Sequence, residues 1–391
     1  MVKECSNCLY REPHPFGLSF IDSECAGCFT HKEKDVLNWN GRLEQLKEII
    51  ERHKQSNKSS YDCIVPVVGD AEDYFVLHNV INVLGLKPLV VCVNDYFYND
   101  IGWQNLHNLI TVFDVDSMIY NPDMHLYKEM IRTTLRRHDH ILWPAIALRT
   151  SYPVHVAVSR KIPLIIWGQH QAIEQVGKFS HVDSVTMSDW SRQQHDLMDI
   201  TLQQQVGNGA QVNTKHLNYY RYPDIKKVSQ KKVTGIYLSN YIRWDPLSQN
   251  QSMLKYGFCP EYQSATYDPY EKAGSSVYYH IHDLLKQKRV GYRKIMDHLS
   301  RDIRHGYLER KQAKLLYNKF SEQPIDVKPF FTWLGMTKSG QQWFIKHKLQ
   351  SVAHLLNGEQ SEAYVLPSRL TKHISMGCHS EKSYISFGKG I

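Results

Sequence analysis

With 391 residues, 42% of them apolar, the chain can bury a sizeable core as one large α/β domain with additions or as two domains, and global disorder is excluded. Its net charge of +8, from 47 basic and 39 acidic residues, allows a phosphate-bearing partner without arguing for one, and no Lys/Arg tract points to nucleic acid. The longest apolar runs, PLVVCV and IPLIIW, are too short to span a bilayer, and MVKECSNC lacks a signal peptide's apolar core, so a soluble cytoplasmic protein is expected.

The first element is a pair of knuckles within residues 1–32. CSNC (Cys5, Cys8) and CAGC (Cys25, Cys28) have the spacing of a zinc ribbon, in which each knuckle supplies two thiolates to a tetrahedral ion. All four positions are then closed, so the zinc is structural and holds a segment too short to form its own core. Neither pair sits in the βαβ surroundings of a redox motif. Residues 33–60 follow as a linking helix, with Leu43, Leu46, Ile49 and Ile50 on one stripe.

From residue 61 to 228 short β-type runs alternate with amphipathic stretches. Strands are expected at 63–68, 88–93, 117–120 and 163–168, and helices near 71–84, 101–112, 123–137 and 151–160, with ILWPAIALRT as a loop. Continuous apolar strands separated by helices predict a doubly wound parallel sheet. Ligands of such sheets bind at the carboxyl ends of the strands, at a topological switch point. Two segments leave such ends: VVGDAED, after the first strand, and GQHQ, after the fourth. Strand, glycine turn and helix start form the usual phosphate cradle, yet Asp70, Glu72 and Asp73 bring negative charge to it. As helix chemistry these residues make sense without a ligand: Asp70 is a good N-cap and Asp73 stands at the capping-box position. Residues 229–347 read as a helical, basic and aromatic substrate or partner region punctuated by Gly291 and Gly306, and 348–391 as a polar tail.

Five segments in order, covering about residues 4 to 345, resemble one family: the N-acetyl sugar amidotransferases of the PP-loop ATP pyrophosphatase superfamily, enzymes of bacterial surface polysaccharides and flagellin sugars. They are the knuckles with LNWNGRLEQL; YDCIVPVVGDAEDYFVLHNVINVLGLKPLVV; GQHQAIEQVGKFSHVDSVT with RQQHDL; IYLSNYIRWDP with KYGF; and GYRKIMDHLSRDIRHGY. The resemblance implies a PP-loop (HUP-like) sheet and a reaction. ATP, with magnesium, adenylates the oxygen of an acetamido group on a nucleotide- or lipid-linked sugar. Ammonia from a separate glutaminase subunit then displaces AMP to leave an acetamidino group. It implies cofactor binding by Val68, Gly69, Asp70, Ala71, Glu72 and Asp73, and catalysis by Gln169, His170 and Glu174. Trp244, Asp245, Asp297, His298 and Arg304 are the candidate sugar residues.

The departures from that family are chemical. Its loop reads S-G-G-x-D-S; here Val68 and Asp73 replace both hydroxyls, Asp70 the second glycine, and Glu72 an aspartate. Like charge against pyrophosphate costs roughly a few kcal/mol per close, partly buried contact. The family's GEHG is GQHQ, so the acid is Gln169, which carries no charge. Two other readings therefore stand beside a working amidotransferase. One is an ATP-independent relative that binds a sugar or a partner. The other is a tRNA-thiolating enzyme, which needs reactive cysteines at the sheet's carboxyl edge, whereas Cys63 and Cys92 read as buried core.

Overall fold

The computed structural model describes residues 2–183, 185–206, 216–274 and 276–356. At its start, β1 (Phe20–Ile21) and β2 (Glu24–Cys25) form a minimal antiparallel ribbon that folds the second knuckle back onto the first. Helix α1 (Ala26–Glu33) follows directly. Next, α2 (Trp39–Ser56) is capped by the Asn38 side chain, which accepts from the Gly41 amide, and it buries Leu46 and Ile50 from the expected stripe.

The main sheet has five parallel strands: β3 (Cys63–Val67), β4 (Pro88–Val93), β5 (Ser117–Tyr120), β6 (Leu164–Trp167) and β7 (Thr234–Tyr237), in the order β5-β4-β3-β6-β7. The register pairs Val65 with Val90 and Ile165 with Gly235. Alternate residues serve opposite faces. Cys63, Val65 and Val67 join one apolar cluster, while Ile64, Leu89, Val91 and Val93 join the other. Both faces are thus covered, as continuous apolar strands require. After β5 the chain crosses to the other side of β3 and adds β6 and β7, so the switch point lies between β3 and β6. The two loops singled out in the sequence leave those two strands.

The helices are α3 (Ala71–Leu77), continued by wider π-type turns to Val83, α4 (Asp100–Val112), α5 (Met124–His138) and α6 (Trp143–Arg160). The last corrects the expectation of a loop at ILWPAIALRT and a helix beginning at 151. Pro144 sits in the first turn, where its missing N–H costs nothing, and Pro153 is accommodated inside the helix. Eleven of the eighteen residues of α6 are buried, so tertiary packing outweighs the proline penalty. Strand β7 was not anticipated; it carries the sheet past residue 228 into the segment read as helical.

Beyond it the helical expectation holds. Helices Ser276–Val290 and Ile295–Arg304 end at Gly291 and Gly306, both in the left-handed conformation that favours glycine at a helix end. Leu349, Val352 and Leu355 are buried, so the first residues of the expected tail pack into the core; the rest of it, from 357, lies outside the described residues. Among the described residues no helix is long and apolar enough to cross a membrane.

Candidate functional site

The four knuckle cysteines are buried and their sulfurs converge within 4.8 Å of one another. Cys5 and Cys28 Sγ lie 3.9 Å apart, and Cys8 and Cys25 Sγ 3.7 Å apart. A tetrahedron with metal–sulfur bonds of about 2.3 Å has edges of about 3.8 Å, so donor set and spacing fit a zinc ion. The surroundings fit as well. Amides of Tyr10 and Cys25 donate to Cys8 and Cys5 Sγ at 3.4 and 3.2 Å. Arg304 Nε and Nη2 point at Cys28 and Cys25 Sγ at 3.2 and 3.3 Å, a buried cation where four thiolates leave excess negative charge. Arg304, expected near sugar, is therefore a support of the four-cysteine cluster. Its Nη1 also donates to the carbonyls of Glu174 and Gln175, tying the cluster to the helix after β6.

The glycine loop holds its shape and fills its own cradle. Gly69 has φ +87°, and a Cβ there would meet the Leu106 backbone at 3.0 Å, so only glycine fits. The amides of Val68, Gly69 and Asp70 converge, as they would around a phosphate, on Asp73 Oδ2 at 2.6, 2.8 and 3.1 Å. The bond from Asp70 is the reciprocal arm of the expected capping box. Asp70 itself faces the Lys272 ammonium at 3.1 Å. Glu72 spans the switch point: its Oε1 accepts the Gln169 amide at 2.9 Å, and a Cβ on Gly168 would collide with it. Within the cofactor-binding span, the backbone forms the expected nest and a side chain occupies it.

A cavity of about 380 Å³ opens beside this loop, between the carboxyl edge of the sheet and the 276–290 helix. Val68, Glu72, Asp73, Gln169, His170 and Asp297 line it. Glu174 does not. Burial would raise its carboxyl, yet Lys34 at 2.5 Å and His181 at 3.3 Å hold it down to about 2. This ion pair sews the α1–α2 connection to the helix after β6, a structural task in place of the expected catalytic one. Lys34→Met should strand the Glu174 charge and cost about 3–5 kcal/mol in a urea denaturation curve. A loss below about 1 kcal/mol would contradict this reading.

The remaining candidate sugar residues divide. Trp244 is fully buried, its ring edge-on to Phe75 at 5.4 Å and its carbonyl accepting from Lys34; Asp245 caps the helix Pro246–Ser252 and binds the Tyr307 hydroxyl. Both belong to a packed turn, and neither lines the cavity. His298 is held between Thr266 at 2.7 Å and Glu271 at 2.8 Å. Asp297 faces Lys286 and also accepts from Tyr10 at 3.0 Å. Sequence reasoning missed His195, Asp196, Arg149 and Lys272 as cavity residues. His195 and Asp196 lie in RQQHDL, one of the segments that carry the resemblance, and Asp95, which pairs with Arg149, is a carboxylate just beyond a buried strand's carboxyl end.

Protonation follows burial. His170 and His195 are pushed down to about 4 and about 3, and remain neutral. Below pH about 6.5 the unfolded chain binds protons that these rings refuse, so their contribution is complete above that pH and is lost as pH falls toward 4. Glu72 works in the opposite sense. Burial pushes its carboxyl up to about 7, so the native state keeps a proton that the unfolded chain releases near pH 4, and stability is lost as pH rises through 7. Glu72→Gln keeps the acceptor and removes the titration. Relative to the unsubstituted protein it should gain about 2 kcal/mol on going from pH 5 to pH 8, measured by urea unfolding. Parallel curves at the two pH values would count against it.

Fold and site together define a doubly wound α/β protein with an amide-lined glycine turn at its switch point, a four-cysteine cluster and a helical C-terminal region. Residues 261–351 match the family model described as LPS biosynthesis protein WbpG-like, C-terminal domain. Over residues 261–351 this match agrees with the expected surface-glycan setting. Similar solved structures include NMN synthetase from Francisella tularensis, at 9% identity and TM-score 0.29 over 50% of this chain and 92% of that one. Another is NH3-dependent NAD synthetase from Campylobacter jejuni in complex with nitrate, at 10% identity and TM-score 0.28 over 58% and 99%. No curated protein matches the chain.

Proposed function

We propose that this protein serves surface-glycan (lipopolysaccharide) biosynthesis as an ATP-independent relative of the sugar amidotransferases, binding an N-acetyl sugar carried on a nucleotide or lipid, with a structural zinc in its ribbon. The match of residues 261–351 supports the glycan setting. One observation carries the rest: the three amides that would cradle pyrophosphate already hold the Asp73 carboxylate. A triphosphate entering the nest would have to displace this anion against charge repulsion. A nucleotide-linked sugar would place the protein in the cytoplasm.

A second reading keeps the ATP-dependent amidotransferase with its glutaminase partner. What favours it is that burial pushes Asp73 up to about 7, so near neutrality a large fraction is protonated and more easily displaced. Thiolation chemistry is disfavoured, since Cys63 and Cys92 are buried and burial raises both thiols, that of Cys92 to about 12. Calorimetry with ATP and magnesium decides. Absence of binding at millimolar nucleotide supports the first reading. Saturable binding, with AMP released on adding an N-acetyl sugar and ammonia, establishes the second.

A further inference from the structure

The cavity beside the nest is nearly balanced in charge but not in hydrogen bonds. Six basic and six acidic side chains line it, and most cations are already engaged: Arg149 with Asp95, Lys286 with Asp297, Lys294 with Glu271 at 2.6 Å, and Lys272 with Asp70 at 3.1 Å. A densely charged ligand would therefore find little unspent attraction there.

The unspent capacity lies in neutral nitrogen. Trp167 Nε1, His170 Nδ1, both ring nitrogens of His195, and Nδ1 of His140 and His282 are buried without a protein partner, and all five residues line this cavity. His140, His170 and His195 are 3%, 4% and 5% exposed. Buried polar atoms are seldom left unpaired without a ligand, ion or water to serve them. The indole is a donor only, and each neutral imidazole offers one N–H and one acceptor nitrogen. A partner must therefore bring several oxygens, some of them pure acceptors. Apolar faces stand beside these groups: the Phe16 ring lies 4.6 Å from that of His195, and the Tyr237 ring 4.2 Å from that of His170. Neutral donors interleaved with aromatic faces suit a pyranose, whose hydroxyls point outward around an apolar C–H face.

We infer that this cavity is the sugar subsite, and that Trp167, His170 and His195 bind the ring of a neutral acetamido sugar whose amide carbonyl supplies the extra acceptor. The assignment rests on the glycan reading above and moves the sugar away from Trp244 and Asp245. A carrier pyrophosphate, being charged, remains outside the balanced cavity. Trp167 and His195 are binding groups here, with no chemical step assigned to them.

The test is a titration of the full-length protein by calorimetry with UDP-linked N-acetylglucosamine, N-acetylgalactosamine and N-acetylmannosamine, each against UDP-glucose so that the carrier contribution cancels. At least one acetamido sugar should bind about tenfold more tightly than UDP-glucose. Trp167→Phe, which removes the indole N–H and keeps a ring, and His195→Phe, which keeps the stack on Phe16, should each weaken it about tenfold while leaving the melting temperature within a few degrees. Absence of saturable binding by all three sugars, equal binding of UDP-glucose, or unchanged affinity in both folded variants overturns the assignment. ATP titrated on the same samples reads the nucleotide question separately: ATP binding with sugar discrimination intact removes only the ATP-independent reading. Acetamido-sugar binding unchanged in both folded variants removes only the subsite, whereas failure of all three sugars removes the sugar-binding part of the reading above with it.

Discussion

Replacing Cys25 with serine, or stripping metal from the cluster with a chelator, is expected to produce the largest loss of stability in this protein. The ribbon has two strands of two residues each, and its cysteines with Leu9 and Tyr10 pack on the main core, so a bound ion would add the constraint that its few strand residues do not supply. Structural zinc contributes about 10–16 kcal/mol in isolated finger peptides. Even a third of that corresponds to a fall in melting temperature of about 5 °C for a chain of this length. The damage should reach the cavity. Tyr10 donates to Asp297, Gln175 donates to Tyr10 at 3.1 Å, and Pro15 and Phe16 form part of the cavity wall. Arg304 would be left as a buried cation facing fewer thiolates. Elemental analysis should find about one zinc per chain in the parent protein, as a closed four-cysteine site holds a single ion. A Cys25→Ser protein melting with the parent, or a purified parent free of metal, would remove the claim.

Asp73→Ser should change both stability and ligand binding, in two parts of opposite sense. Three backbone amides lose their acceptor, and bonds of this kind to a charged group are worth roughly 1.5–3 kcal/mol each before water replaces them, so a net loss of about 3 kcal/mol is expected in urea. The emptied nest should in turn take up an external anion. Gly69 keeps its left-handed turn and the amides still converge, with the start of α3 behind them. Pyrophosphate, not bound detectably by the parent at millimolar concentration, should bind saturably to the variant. If the folded variant shows no gain, the carboxylate was not the barrier. Asp73→Asn separates the parts, since it restores an acceptor without restoring charge.

Much of the scaffold was legible because it is written in local chemistry. The paired C-x2-C knuckles announce their ligand set by spacing, and CIVPVV and PLVVCV announce buried strands by unbroken apolarity. Gly291 and Gly306 mark helix ends. The errors have a common source. ILWPAIALRT was read as a loop although it opens the helix Trp143–Arg160, because the burial that offsets the cost of that helix's prolines is not readable locally. TGIY was too short to stand out as a strand; it becomes one by pairing with β6. Among the candidate site residues, Gln169 and His170 follow β6 and line the cavity. Glu174, Arg304, Trp244 and Asp245 have the right residue types for a sugar site and are spent on other contacts.

By itself, then, the sequence determined the four thiolates, the alternating α/β pattern with its glycine turn, and the excess of carboxylates at that turn. Each depends on residues within a few positions of one another. Only the tertiary structure decided which partner each charged group took. Asp73 lies near its nest in sequence, but Glu72 finds Gln169, Glu174 finds Lys34, and Arg304 finds the knuckle sulfurs across 97, 140 and nearly 280 residues. Hydrogen bonds and ion pairs act over a few ångströms, and chain topology alone determines which residues come that close.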